Sequence, residues 1–593
     1  MFDEKNTSKV ICETQNIVFI TPNLEPGVGE ESVGTLILAN ILRNQGLHVD
    51  VLSFHSFDYA SGFEIFVRNA VTVVCEKKPC IVSFYTRCDT YHIMVRLAKI
   101  LKKQCGCYIV FGGPQAAMVA EQTVKLIEEV DYVCCGEGET TVYPFFSSLL
   151  RGTPDTTLPG IVFRRKHEII KNALPPLIDN LDEIPLFDYS SYNVKISDAK
   201  PFGIEVGRGC PFHCTFCSTS VFWNRKYRLK SPERIVREVQ TLHRQYGVTY
   251  FSFIHDMFTM NREHVLKVCR LLDEMDLHIH WKCSARVDCI DRHMIDIMCH
   301  SGMKHIFFGI ESGSPRMQKL INKNLDLQKA IEIIAYAKKQ NVRVTVSFIY
   351  GFPEENEADV SATIRMIYEL VNQGIFDIQV HLCTFLPGTE LTQKYSNKLI
   401  REEWRTDFVD DFGTKECEDL ISSYPSLFPH YRGVDTGLRK RVQFFSHFIY
   451  VWLRYHPVYQ YLAAKYEKDS LFDMYADFVN ANRQTLQQNA DLPFVQQLAL
   501  LIEHDQFIDD FKQDANFDLI CDYYRMERIK SAFIQKKTEE STIALFCFSP
   551  KEMMLKKRIE EYSRQNVIAV FQRKDDAQLH IRIRAIKPEK HKS

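Results

Sequence analysis

Three cysteines, Cys210, Cys214 and Cys217, stand in the run Gly207-Arg208-Gly209-Cys210-Pro211-Phe212-His213-Cys214-Thr215-Phe216-Cys217. The spacing Cys-x3-Cys-x2-Cys puts three thiols on one tight loop, directly after the strand-like stretch Phe202 to Val206. Soft thiolates select zinc or iron–sulfur clusters. A structural zinc asks for four ligands, usually as two separated pairs. His213 could be a fourth, but it directly precedes Cys214, which strains shared chelation. A [4Fe–4S] cluster held wholly by protein takes four cysteines, so three leave one iron open. An open coordination position marks a metal centre that does chemistry. The chain has 19 cysteines, and cysteine is often buried for packing alone. Cys75, Cys80, Cys269 and Cys299 sit among apolar neighbours, as core residues do.

Alternating strands and helices must position that loop. Over residues 1–150 the expected strands are Ile17–Thr21, Val49–Phe54, Cys80–Tyr85, Tyr108–Phe111 and Tyr132–Cys134, with an amphipathic helix at Ile93–Lys103. This alternation predicts a doubly wound parallel sheet. Such sheets take ligands at the carboxyl ends of their strands, where Gly112-Gly113-Pro114 and Gly136-Glu137-Gly138-Glu139 fall. Glycine there permits a sharp turn or the close approach of a ligand. Residues 151–199 form a connector with one expected strand, Gly160–Arg164.

Residues 200–395 repeat the strand–helix unit six times, with strands at Phe202–Val206, Tyr250–Ile254, His280–Ser284, His305–Gly309, Arg343–Ile349 and Asp377–Leu382. The first helix carries clear punctuation: Ser231 as N-cap, Pro232 at the first position and Gly247 beyond the end. Six units are too few for a closed eight-stranded barrel, and they suit a partial (βα)6 barrel whose chemistry sits at the carboxyl strand ends. Residues 396–593 read as a mostly helical domain with a small αβ end. The aromatics Phe444, Phe445, Phe448, Tyr450, Trp452, Tyr455, Tyr459 and Tyr461 are read as helical core packing. The αβ end comprises strands Ile543–Phe548, Val567–Gln572 and Leu579–Ile586 with a helix at Lys551–Arg564. The fold class is α/β throughout its first two domains.

Composition sets bounds. Of 593 residues, 45% are hydrophobic and 25% charged, as in an ordinary globular protein of several domains. A formal net charge of −2 gives no general attraction to nucleic acid or anionic lipid. No run approaches the ~20 apolar residues of a membrane span, and no signal-like stretch opens the chain. Many cysteines without a secretion signal point to a reducing cytoplasm.

With these residues in hand, the chain resembles the radical S-adenosylmethionine (SAM) superfamily, in the branch with an amino-terminal cobalamin-binding domain. The likeness runs over roughly residues 15–395, and its sharpest part is Cys210, Cys214 and Cys217, with Phe216 before the last cysteine. The resemblance implies that SAM chelates the open iron and that one electron cleaves its C–S bond to give a 5′-deoxyadenosyl radical. It places His255-Asp256 near the cluster and Arg286 against the SAM carboxylate. Glu311 and Ser312 then meet the ribose or amino group. Ser347-x-Ile349-x-Gly351-x-x-Glu354 packs on adenine, with Ser347 standing where the family often has glycine. In the cobalamin domain the implied contacts are Ser83, Gly112, Gly113, Gly136 and Glu137. The Asp-x-His-x-x-Gly motif that supplies a histidine to cobalt in related domains is absent, and neither His55 nor His92 has its spacing.

The activity implied is methyl transfer to an unactivated carbon or phosphorus of a small-molecule or peptide substrate, with an electron donor such as flavodoxin or ferredoxin. A radical cyclase or rearrangement enzyme shares the architecture, and Ser220-Val221-Phe222-Trp223 to Tyr227-Arg228 is similar to the anaerobic porphyrin-ring cyclases. A cobalamin or redox sensor would need neither Arg286 nor Glu311. A methylthio-transferring nucleic-acid enzyme would need three further grouped cysteines and a basic carboxyl-terminal module, and the sequence offers neither.

Overall fold

The computed structural model describes residues 15–22, 33–54, 63–186, 201–402, 415–466 and 470–489, scattered positions from 497 to 526, and the strands 541–546, 567–573 and 579–585. Two compact units divide the chain: Met1–Ile310 with Gln318–Ser347 and Cys383–Asp435, and Glu311–Met317 with Phe348–Leu382 and Thr436–Ser593.

The first sheet contains β1 (Ile17–Thr21), β2 (Val49–Ser53), β3 (Ile81–Tyr85), β4 (Tyr108–Gly112), β5 (Tyr132–Cys134), β6 (Ile161–Arg165) and β7 (Glu168–Lys171), in the order β2-β1-β3-β4-β5-β6-β7. The first five pair in parallel. Strands covered on both faces read as unbroken apolar runs, and all five residues of β1 are buried. Apolar clusters fill both sides of this sheet. The expected connector is not a separate piece here, because β6 joins the sheet antiparallel to β5 and β7 pairs antiparallel with β6. The helix Tyr91–Cys105 buries Tyr91, Met94, Val95, Ala98 and Leu101, and Gly106 ends it. Cys75, read as a buried thiol, is bonded to Cys105.

Next come β8 (Phe202–Glu205), β9 (Gly207–Arg208), β10 (Arg228–Leu229), β11 (Tyr250–Ile254), β12 (His280–Ala285), β13 (Met303–Glu311), β14 (Arg343–Tyr350) and β15 (Asp377–Leu382). Six of these form the second sheet, ordered β15-β14-β13-β12-β11-β8. The six strands are those expected from the sequence. Strand β8 pairs with β11, β11 with β12 and β12 with β13, all in parallel. The helix Pro232–Tyr246 starts as its sequence dictates: the Ser231 hydroxyl accepts from the Arg234 N–H at 3.1 Å.

A segment expected in the carboxyl-terminal domain belongs to the first unit. After β16 (Leu399–Arg401) and before β17 (Arg432–Val434), the helix Lys415–Ser423 and the turn Pro429–Tyr431 pack on the first sheet's helical layer. Cys417, Ile421, Leu427, Phe428 and Tyr431 join its core. Gln115 Nε2 donates to the Leu427 carbonyl at 2.9 Å, and Tyr431 and His92 are hydrogen-bonded at 3.1 Å.

In the second unit, helices Phe445–Arg454, His456–Ala463 and Leu471–Ala481 bury an aromatic core. Phe445, Phe448, Trp452, Tyr455 and Tyr459 are fully enclosed, so these aromatics pack as the sequence suggested. Strands β18 (Ser541–Phe546), β19 (Val567–Arg573) and β20 (Leu579–Ala585) form an antiparallel meander. The expected helix Lys551–Arg564 lies outside the described residues.

Candidate functional site at the cysteine loop

Strand β8 ends at Glu205, and the short β9–β10 pairing holds the entry to the cysteine loop. Gly209 has φ +86°, and a Cβ there would lie 1.9 Å from the Lys226 carbonyl oxygen, so only glycine fits. The loop is fixed from outside. The Thr215 N–H donates to Ile321 O at 3.1 Å, the Leu391 N–H to Thr215 O at 2.9 Å, and Asn322 Nδ2 to His213 O at 3.0 Å. The turn Ile321–Asn324 was missed from sequence, although its two asparagines were a signal. Asn322 and Asn324 have φ 56° and 58°, the left-handed region asparagine tolerates.

Cys210, Cys214 and Cys217 are half-buried. Burial pushes the Cys210 thiol up to about 11; the Phe212 N–H works against this, while Cys217, Asp256 and Cys214 add to it. The thiols and Asp256 are therefore electrostatic neighbours. Bound metal must displace their protons, which couples loading to deprotonation. Among the described residues no three His, Cys, Asp or Glu side chains converge to hold one metal ion. A four-iron cube asks for something else: three thiolates at three separate corners. The soft donor set, its partial exposure and its fixed backbone fit such a cluster. Phe216 is half-buried in the same loop.

Asp256 follows β11. Loss of hydration raises its carboxyl, which its own N–H and the Thr219 hydroxyl partly offset. His255 turns away: its Nδ1 accepts from the Met257 N–H at 2.7 Å and its ring stands edge-on to Tyr227. Arg286, the first residue after β12, lies against the cysteine loop. Its Nη1 is 3.9 Å from Cys214 Sγ, its Nε donates to Asp288 Oδ1 at 2.8 Å, and its Nη2 donates to Lys323 O. The guanidinium carbon sits 4.0 Å from the Phe212 ring centroid.

Glu311 closes β13 with φ +71° and is 8% exposed. A non-glycine residue there is strained, and such strain gathers at functional positions. Ser312 is fully buried; its hydroxyl accepts from the Ser314 N–H at 3.2 Å and lies 3.4 Å from Thr363 Oγ1. Ser347 and Ile349 share one face of β14 by strand alternation. Beyond them, Glu355 rather than Glu354 folds back: its Oε2 accepts from the Gly351 N–H at 2.6 Å, and burial pushes its carboxyl up to about 8.

The first sheet's loops are placed less as expected. Ser83 lies inside β3, two residues before its end at Tyr85. The strand-end residue is Thr86, for which the sequence held no signal. Its hydroxyl donates to Gly112 O and accepts from the Ala116 N–H, at 2.8 and 2.9 Å. A Cβ on Gly113, at φ +90°, would come within 2.8 Å of the Thr86 backbone. At Gly136 a Cβ would meet Pro175 at 2.9 Å. Packing alone thus requires glycine at both.

Glu137 is committed to protein partners. Its Oε1 accepts from Arg208 at 2.7 Å, and its Oε2 from Arg228 at 2.9 Å and the Ile178 N–H at 2.6 Å. Burial alone would raise this carboxyl; the bonds from Arg228, Arg208 and Ile178 outweigh that and lower it. Arg208 also reaches Glu139 at 2.5 Å and Glu205 at 2.9 Å. The Trp223 ring centroid lies 5.5 and 5.7 Å from the two guanidinium carbons. Arg208, two residues before Cys210, thus ties the loop after β5 to the cysteine loop.

The radical SAM superfamily profile matches residues 204–367, and a B12 binding domain profile matches residues 25–144. An uncharacterized methyltransferase of Pyrococcus horikoshii is 32% identical over 322 residues, covering 54% of this chain and 69% of that protein. The chain belongs to the radical SAM superfamily. It has the B12-binding domain amino-terminal to the radical SAM core. The cofactors of this radical SAM enzyme are therefore SAM with an iron–sulfur centre, and cobalamin. A cytidylyl-2-hydroxyethylphosphonate methyltransferase of Streptomyces wedmorensis is 27% identical over 429 residues, covering 64% of this chain and 78% of its own. Among solved structures, the cobalamin-dependent SAM radical enzyme OxsB with aqua-cobalamin bound superposes with TM-score 0.59 at 13% identity, covering 89% of this chain and 81% of that one. That is a likeness of fold. The radical SAM profile spans the cysteine loop, Asp256, Arg286, Glu311 and Ser347; the B12 profile spans Ser83, Thr86, Gly113 and Glu137. Among the described residues, no helix is long and apolar enough to cross a membrane.

Proposed function

We propose that the protein is a cobalamin-dependent radical SAM methyltransferase acting on an unactivated carbon of a small-molecule or peptide substrate. It would work in a reducing cytoplasm with a flavodoxin- or ferredoxin-like electron donor. The observation that carries this reading is the direct bonding of the B12 domain's Glu137 and Glu139 to Arg208, two residues before Cys210. Such a tie suits two cofactors that must act on one substrate, and the methyltransferase names of two relatives support methyl transfer. When bound, a [4Fe–4S] cluster, SAM and cobalamin supply the electron, the adenosyl radical and the methyl group. The chain's own work is to position. Cys210, Cys214 and Cys217 would hold three irons, while Asp256, just past the end of β11, would offer a carboxylate to the polar groups of SAM.

The test is anaerobic reconstitution with iron, sulfide and hydroxocobalamin, then SAM, a reductant and candidate substrates. We expect 5′-deoxyadenosine, a cobalamin absorption spectrum that stays with the protein, and methylated product. A cluster-replete protein that never cleaves SAM would count for a sensor instead. The Cys214→Ala variant should lose the cluster spectrum, and its survival unchanged would sink the ligand assignment.

A further inference from the structure

We infer that Arg286 sets the reduction potential of the cluster held by the cysteine loop, by donating from Nη1 to the Cys214 sulfur. This rests on the radical SAM reading above and goes beyond the SAM-carboxylate contact which that reading assigns to Arg286.

The geometry constrains the side chain closely. Arg286 is 6% exposed. Its Nε is fixed by Asp288 Oδ1 at 2.8 Å and its Nη2 by the Lys323 carbonyl, which leaves Nη1 directed at Cys214 Sγ, 3.9 Å away. The guanidinium also lies over the Phe212 ring, two residues before Cys214. A planar fork held at three points and stacked on a ring has lost its freedom already. No rearrangement is then needed when the sulfur's charge changes.

Reduction adds one electron to the cluster from an external reductant and makes it more negative by one charge. A cation bonded to one of its sulfurs stabilises that reduced form, and hydrogen bonds to sulfur are among the determinants of such potentials. Asp288 tempers the effect, since its carboxylate partners the same guanidinium, but it is 42% exposed and so better screened by water than Arg286. Arg286 therefore makes the cluster easier to reduce before SAM arrives.

The test is a dithionite titration followed by electron paramagnetic resonance, on anaerobically reconstituted protein without SAM. Iron and sulfide content are matched between wild type, Arg286→Met and Arg286→Gln. The methionine variant should be about ten-fold harder to reduce, a midpoint ~59 mV more negative for a one-electron couple. The glutamine variant keeps an N–H donor without the charge and should fall by less. If Arg286 serves only the SAM carboxylate, SAM affinity drops in both variants while the SAM-free midpoint stays put, and the inference is overturned. Should the methionine variant fail to take up iron, the iron-replete glutamine variant decides: an unmoved midpoint there overturns the inference equally, while Arg286→Lys, which keeps the charge, should stay nearer wild type. Absence of any cluster signal in the wild type would instead overturn the radical SAM reading.

Discussion

At Arg208, Glu137, Glu139 and Glu205 meet one guanidinium in a space nearly closed to water; the arginine side chain is 3% exposed. Burying charge is costly, and a buried ion pair does not by itself imply stability. Removing one partner is another matter, because the others stay buried and uncompensated. Arg208→Met should therefore cost about 3–5 kcal/mol in urea unfolding, with part of the loss recovered when Glu137→Gln and Glu139→Gln are added. An Arg208→Met protein as stable as wild type would show that water reaches the carboxylates. The sequence marked Glu137 through its flanking glycines but not its task, since its partner Arg208 lies 71 residues away. Arg286 was legible as a site residue, while its contact with Cys214 depended on a pairing that spans 72 residues.

Strands and helices were legible where the signal is local. All six strands from β8 to β15 that build the second sheet, and the Ser231 cap, follow from apolar runs and capping residues a few positions apart. The β6–β7 pair was half-hidden: a single strand was read at Gly160–Arg164, and nothing local says that it joins β5 antiparallel. The turn Ile321–Asn324 was unread because its purpose, to hold the cysteine loop, lies over 100 residues upstream. Loop glycines raise a related ambiguity, since ligand approach and tight packing leave the same mark. Gly113, in a loop, and Gly34, in the helix Val33–Asn44, make the contrast. Gly113→Ala puts a Cβ 2.8 Å from the Thr86 backbone at φ +90° and should cost about 1–3 kcal/mol. Gly34→Ala meets nothing within 4 Å and should be neutral or stabilising by up to ~1 kcal/mol. Chemical denaturation of both variants decides, and equal stabilities would refute the packing account.

Across the whole molecule, the return of residues 415–435 to the first unit seals two histidines. His92 and His430 are 0% and 1% exposed, and burial pushes both down to about 3. His430 and Arg401 add to this for His92, and Arg401 for His430, against a Cys88 backbone contact. Below their ordinary value near 6.5 the unfolded chain binds protons that the folded one refuses, so stability falls as pH drops from about 6.5 toward 3. At pH 5 each histidine forfeits about 2 kcal/mol. The His92→Phe protein should lose less stability than wild type between pH 7 and 5 in paired melting curves; parallel losses would exclude His92 as a cause. The clamp on the cysteine loop has a consequence of another kind. Its backbone partners, Ile321 and Leu391, are made long after Cys217 leaves the ribosome. At about 5–20 residues per second, the wait for Leu391 is roughly 9–35 seconds. During synthesis the three thiols emerge on an unclamped strand, exposed to oxidants and to stray metals, and the niche for iron closes only once the later chain arrives. The loop therefore reaches its clamped form only after Leu391 has been made.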